Sequence, residues 1–223
     1  MASSAVTNAI VESGSYKIGP LTSSWYAQIP IYPELRNVFT NPAHLRVVAR
    51  ALGRKLKGEG IELVAGAETG GIPLATAISL ETGLPFVYVR KVSKTYGPGG
   101  AVFGNFTPGQ KVALIDDAIS FGKQKLIFID RLREAGLKPT VIAVILDIVR
   151  LGKERKQLFG KQGLKLIALT NQLQMIRAYE RAGIWPTEFA ELLRDFENNP
   201  FAWQGNKEKW RQFEELKKTL PNI

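Results

Sequence analysis

The chain has no cysteine and a single histidine among its 223 residues. Without cysteine there is no disulfide, no thiolate nucleophile and no zinc–thiolate site. With one histidine, His44, and no thiol, a transition-metal site is not expected. His44 falls early in a helical pattern and reads as exposed and structural. No run of eighteen consecutive apolar residues occurs, so no membrane-crossing helix is expected. Residues 1–10 lack the basic stretch followed by an apolar core that marks a secretory signal. These absences fit a cytoplasmic protein. Internal repeats and low-complexity segments are also missing. What is present is 45% hydrophobic residues, enough for a substantial core, and a formal charge of +10. A basic chain attracts polyanions, whether nucleic acids, anionic membranes or polyphosphates, and net charge alone does not choose among them.

Residues 1–40 read as irregular, with Pro20, Pro30 and Pro33 punctuating short apolar stretches. Such a segment suits a hood over a neighbouring site, or simple packing. Asn41-Pro42 is a helix start, with asparagine as N-cap and proline at the first helical position. Leu45, Val48, Ala49, Leu52 and Leu56 follow at helical spacing, and Gly58 and Gly60 close the helix. Strand patterns then fall near 61–66, 86–90, 112–116, 140–147 and 164–169, with helical patterns near 73–82 and 123–136. That alternation predicts an α/β fold with a mainly parallel sheet flanked by helices. The unbroken apolar run from Val141 to Leu146 reads as a strand buried on both faces. Residues 150–163 are basic without a clear period and read as a solvated loop or short helix. Residues 171–220 read as helices near 173–182, 186–196 and 207–220. Their aromatics, from Trp185 to Phe213, are expected to pack against a core rather than stack on nucleic-acid bases, because no basic residues are regularly interleaved with them. The expected division is a hood over 1–40, an α/β core over 41–170 and a C-terminal helical extension over 171–223.

The most informative run is Val112-Ala113-Leu114-Ile115-Asp116-Asp117-Ala118-Ile119-Ser120-Phe121-Gly122-Lys123-Gln124. An apolar strand ends at two adjacent carboxylates, and a short glycine-containing loop leads into a helix. In open α/β sheets ligands bind at the carboxyl ends of strands, and the first N–H groups of the following helix suit a phosphate. The carboxylates could hold sugar hydroxyls or a magnesium ion. The layout points to a phosphorylated sugar; read blandly, it is a buried strand whose acidic residues cap the next helix. A second run, Ala65-Gly66-Ala67-Glu68-Thr69-Gly70-Gly71-Ile72-Pro73, places glycines between a strand and a helix, either for close approach to an anion or for an ordinary turn. A third, Arg90-Lys91-Val92-Ser93-Lys94-Thr95-Tyr96-Gly97-Pro98-Gly99-Gly100, is a strand entering a basic, glycine-rich loop. Alone it would read as a solvated face.

In that order the three runs resemble the orotate phosphoribosyltransferase family of type I phosphoribosyltransferases. The resemblance runs as an ordered series over roughly residues 10–170. Asp116, Asp117, Ser120 and Gly122 match the family's signature for phosphoribosyl pyrophosphate (PRPP), while Phe121, Lys123 and Gln124 stand where small or hydroxyl residues are usual. Residues 65–75 look like its pyrophosphate loop. Arg90, Lys91 and Lys94 match its mobile catalytic loop, with Tyr96 in place of a histidine.

The resemblance implies a type I phosphoribosyltransferase-like fold and transfer of a 5-phosphoribosyl group from PRPP to a nucleobase, orotate first, in pyrimidine biosynthesis. It implies that Asp116 and Asp117 meet the ribose hydroxyls and that Ala118, Ile119, Ser120, Phe121, Gly122, Lys123 and Gln124 surround the 5-phosphate. Ala67, Glu68, Thr69, Gly70 and Gly71, with Arg90, Lys91, Lys94 and Tyr96, would surround the pyrophosphate, bridged by Mg²⁺ held largely by substrate oxygens. Lys91, Lys94, Asp116 and Asp117 are the residues it makes catalytic. A homodimer is implied, because the family's loop enters the neighbouring subunit's site. Two departures concern the acceptor. The lysine and arginine of the family's N-terminal pattern are missing near Lys17, and Ile148 follows Asp147 where the family tends to have an arginine facing the orotate carboxylate. Arg150, two positions on, is a possible substitute. Transfer to another base, and a PRPP-sensing regulator on the same fold, stand as alternatives. The second is weakened by intact Lys91 and Lys94 and by the absence of an N-terminal DNA-reading helix pair.

Overall fold

Ahead of the alternating core the chain builds a cap. The computed structural model describes residues 4–23, 26–94, 100–148 and 152–220, with backbone only at 93, 94, 152 and 153. Helix α1 (Ser4–Glu12) buries Val6, Ala9 and Ile10. Strands β1 (Tyr16–Leu21) and β2 (Ile29–Pro33) pair antiparallel, and a 3-10 turn, Leu35–Thr40, follows. The segment expected to be irregular is therefore a helix and a hairpin. Its prolines misled because a two-stranded ribbon has open edges, where a missing N–H costs no ladder bond.

Helix α2 (Pro42–Leu56) starts as expected: Asn41 Oδ1 accepts the Ala43 N–H at 2.9 Å, and Pro42 occupies the first turn. His44 is less exposed than expected. Its ring meets the Glu12 carboxylate at 3.1 Å, and its side chain is 15% accessible.

The core continues with β3 (Leu63–Ala67), α3 (Gly71–Thr82), β4 (Phe86–Lys94), β5 (Gly100–Phe103), β6 (Lys111–Ile119), α4 (Lys123–Glu134), β7 (Lys138–Asp147), α5 (Gly152–Lys161) and β8 (Lys165–Asn171). The sheet order is β5-β4-β3-β6-β7-β8, parallel throughout except for β5 against β4. The α/β, mainly parallel architecture is the one expected. Part of the basic, glycine-rich stretch expected to be loop after residue 90 is instead strand: β4 runs on to Lys94, and β5 returns along it. Residues 95–99 of that loop lie outside the described residues. Residues 150–163 contain α5, and Arg155 and Phe159 are buried on its inner face.

Alternation along the strands divides the core between the two faces of the sheet. Val64, Ala113, Ile115, Val141, Ala143 and Ile145 pack toward α2, α3 and the C-terminal helices. Leu63, Val112, Leu114, Ile142 and Val144 pack toward Phe128, Ile129 and Leu132 of α4 and Phe159 of α5. After β8 come α6 (Gln172–Arg181), α7 (Thr187–Asn198), a 3-10 turn at Pro200–Trp203 and α8 (Lys207–Lys217). Their aromatics pack as expected. Tyr179 stacks on Trp185 at 4.3 Å, and both meet Tyr16 of β1 edge-on. Phe201 and Phe196 enclose Tyr26, which in turn touches Phe121 at 6.5 Å. The C-terminal helices thereby hold the cap to the sheet. No described helix is long and apolar enough to cross a membrane.

Candidate active site

From β3 the sheet order runs one way to β4 and the other way to β6. Such a switch point leaves a crevice at the strands' carboxyl ends, where ligands of open α/β sheets bind. Two of the three singled-out loops meet there. The turn Glu68-Thr69-Gly70 joins β3 to α3, with a cis peptide between Glu68 and Thr69. Gly71 packs against β6 so closely that a Cβ would stand 2.1 Å from the Ile115 carbonyl oxygen. A Cβ on Gly70 would stand 2.7 Å from Asp117 Oδ2. Glycine at 70 and 71 is what lets the first loop and the acidic pair share one cleft.

The acidic pair lies within β6, which runs past it to Ile119 rather than ending at it near residue 116 as the apolar pattern suggested. Asp116 is buried, and its Oδ2 is ion-paired with Lys125 Nζ. Its Oδ1 accepts the Asp117 N–H at 2.9 Å. Asp117 Oδ1 accepts the Ala118 N–H at 2.6 Å, and Oδ2 faces Gly70. Burial, and after it the Asp116 charge, push the Asp117 carboxyl up to about 6, while Lys125 works in the opposite direction.

Lys125 was not singled out in the sequence. A usable signal was there: α4 has no acidic residue in its first turn but carries Lys123 and Lys125, against the helix dipole. Cations gathered at a helix N-terminus make sense where an anion binds.

The remaining expected site residues fall around this centre. The loop 118–122 and the start of α4 form one wall of a cavity of about 450 Å³. Ile29, Ile31, Tyr32 and Pro33 of the cap also line it, with Ile148. Ser120, Phe121, Gly122, Lys123 and Gln124 line the cavity, with Ala118 and Ile119 beside them. Behind the loop, Arg155 of α5 donates to the Ser120 carbonyl at 2.6 Å and to Asp147 Oδ2 at 2.5 Å.

On the other side, the Glu68 carboxylate turns to β4. It accepts from Arg90 Nε at 3.1 Å and from the Lys91 N–H at 3.3 Å. Lys91 Nζ reaches across to Gln124 Oε1 at 3.2 Å, lying 5.9 Å over the Phe128 ring. The backbone places Lys94 at the tip of β4, opposite Gly100. Its side chain, Tyr96 and Arg150 lie outside the described residues. Among the described residues no cluster of three or more histidine, aspartate or glutamate side chains forms a metal site.

No protein-family model matches the chain. It is 36% identical over 187 residues to an orotate phosphoribosyltransferase of Listeria monocytogenes, covering 82% of this chain and 88% of that one. It is 34% identical over 177 residues to an orotate phosphoribosyltransferase of Pyrococcus furiosus, covering 78% of this chain and 94% of that one. Among solved structures, Leishmania donovani UMP synthase superposes with a TM-score of 0.78 at 28% identity, over 88% of this chain and 42% of the longer one.

Proposed function

This chain belongs to the orotate phosphoribosyltransferase family, and from that premise we propose that the cleft transfers the 5-phosphoribosyl group of PRPP to orotate, releasing pyrophosphate. The observation that carries the proposal is the abutment at the switch point. Gly70 against Asp117 and Gly71 against Ile115 make one cleft of the pyrophosphate-type loop and the acidic pair.

The bond from the anomeric carbon to the pyrophosphate oxygen breaks as the bond to the base nitrogen forms. Positive charge develops on the ribose and negative charge on the leaving group. Ionised Asp117 accepts from the ribose hydroxyls. Asp116, neutralised by Lys125, holds the Asp117 backbone in place. The N–H groups of the 120–124 loop and the Lys123 ammonium receive the 5-phosphate. Lys91 and Lys94, on the strand that leads out over the cleft, stabilise the departing pyrophosphate, a contact worth most where charge is still growing.

Magnesium is part of the proposal as the metal of the PRPP complex, where it neutralises phosphate charge. It favours oxygen ligands and takes few of them from protein. Asp117 fits that need, since Asp116 is committed to Lys125. We further take the assembly to be a homodimer, for which exposed Leu80 and Val92 offer apolar surface to bury. Ile148 on the cavity wall, where the family tends to have an arginine, favours one second reading, transfer to a base without a carboxylate.

The test is turnover by the pure protein with PRPP, Mg²⁺ and a panel of bases, read as pyrophosphate release. Release with orotate is expected. Release with another base alone would reassign the acceptor, and release with none would overturn the proposal.

A further inference from the structure

Arg155 stands in a basic stretch that reads as solvated, yet it is only 5% exposed. A buried guanidinium persists only where its donors and charge are met. Here they are met by two groups with different meanings. One is the Asp147 carboxylate at the end of β7. The other is the main-chain carbonyl of Ser120, in the middle of the loop assigned to the 5-phosphate.

A peptide unit is planar, and its C=O and N–H point in opposite directions. Arg155 lies on the α5 side of the loop, as does Phe159. A Cβ on Gly122 would stand 2.6 Å from Phe159 Cζ and 3.3 Å from Arg155 Cδ. Neither residue lines the cavity, whereas Ser120, Phe121 and Gly122 do. Holding the Ser120 carbonyl toward α5 therefore turns the Phe121 N–H toward the cavity. The flipped peptide would present a carbonyl to the phosphate and lose a donor. Asp147 orients the guanidinium and ties it to the strand end beside Ile148.

We propose that Arg155, held by Asp147, is the positioning residue that fixes the direction of the 120–121 peptide and so prepares the loop to receive the ribose 5-phosphate end of the donor. The assignment rests on the proposed function's reading of that loop. It is specific to one end of the substrate, because the pyrophosphate end meets other elements.

Arg155→Met removes the donors and keeps an unbranched stem beside Gly122. Calorimetry with ribose 5-phosphate, and separately with pyrophosphate and Mg²⁺, reads the two ends independently of catalysis. Ribose 5-phosphate affinity is expected to fall ~10-fold or more, as when a charge-assisted hydrogen bond that orders a site is lost. Pyrophosphate affinity is expected to stay within about 2-fold, and KM for PRPP to rise more than kcat falls. Equal loss at both ends would mean that Arg155 serves only the general fold, and unchanged ribose 5-phosphate binding would mean that the loop needs no such hold; either overturns the assignment. If the methionine variant does not fold, Arg155→Lys carries the test. It keeps the charge but not the planar fork, so weaker ribose 5-phosphate binding with intact pyrophosphate binding is expected, and unchanged binding overturns the assignment. A parent chain that takes up neither ligand overturns the proposed function, and this inference with it.

Discussion

Replacing Gly71 by alanine puts one methyl group between the first turn of α3 and β6. The new Cβ would stand 2.1 Å from the Ile115 oxygen and 3.2 Å from Asp116 Cα, against an ordinary contact distance of 3.4 Å or more. Both neighbours are main chain, so helix and strand must part by roughly 1 Å, an overpacking strain of about 1–3 kcal/mol. For a chain of this size that lowers Tm by roughly 2–12 °C. The displacement acts at the level of the acidic pair, where a shift of about 1 Å costs roughly 10²-fold in rate. Gly70→Ala is the informative contrast. Its Cβ would stand 2.7 Å from Asp117 Oδ2, the end of a side chain that can rotate aside. Stability should change by less than about 1 kcal/mol, with activity falling as far as in Gly71→Ala, since the carboxylate itself is displaced. Thermal unfolding beside pyrophosphate release separates the two effects. Gly71→Ala with parental Tm and turnover would refute the packing argument. Gly70→Ala with parental turnover would show that Asp117 need not hold its place.

Three other outcomes follow from the same structure. Burial raises Asp117 from its ordinary 3.8 to about 6 in the folded protein, so the folded state holds an extra proton between about pH 4 and 6 and stability falls as pH rises through that window. Asp117→Asn should flatten that fall and, by denaturant titration, stand up to about 2–3 kcal/mol above the parent at pH 8, while binding PRPP more weakly; an unchanged pH profile would contradict the burial argument. Lys91→Ala should lower kcat by roughly 10²-fold with a smaller change in KM, and full activity would return this lysine to the status of a solvated charge. Trp203, fully buried with Nε1 donating to Asp195 at 2.8 Å, should cost about 3–5 kcal/mol as alanine, seen as a Tm lowered by roughly 10 °C; exposed Phe201, edge-on to Tyr26, should cost only about 0.5–1.5 kcal/mol.

What could be read from the residues depended on how local the cause was. The Asn41-Pro42 start, the β6–α4 passage and the doubly buried β7 each rest on one short stretch, and each was legible. The β1–β2 hairpin was not, because its strands are defined by each other and carry prolines that a central strand would refuse. β5 escaped for a similar reason. Four residues after a glycine-rich loop become a strand through pairing with β4, where Tyr88 stacks on Phe103 at 5.0 Å. Within the site, the residue types and their order were plain in the sequence, but two cations were not. Lys125 finds Asp116 across a loop, and Arg155 finds Ser120 from an adjacent helix. Neither separation is a helical or strand neighbour, so no periodicity announces it.

The account stands or falls on the acidic pair binding PRPP in the cleft at the switch point. Calorimetry of PRPP with Mg²⁺, run on the parent and on the double variant Asp116→Asn, Asp117→Asn, tests this most directly. Thermal unfolding must accompany it, because the variant leaves the Lys125 ammonium without its counter-ion. A folded double variant whose PRPP affinity falls by roughly 10²-fold or more, as expected when the charge-assisted Asp117 contact is lost together with the Asp116 carboxylate that holds its backbone, is the predicted result. A folded double variant with unchanged affinity would contradict it.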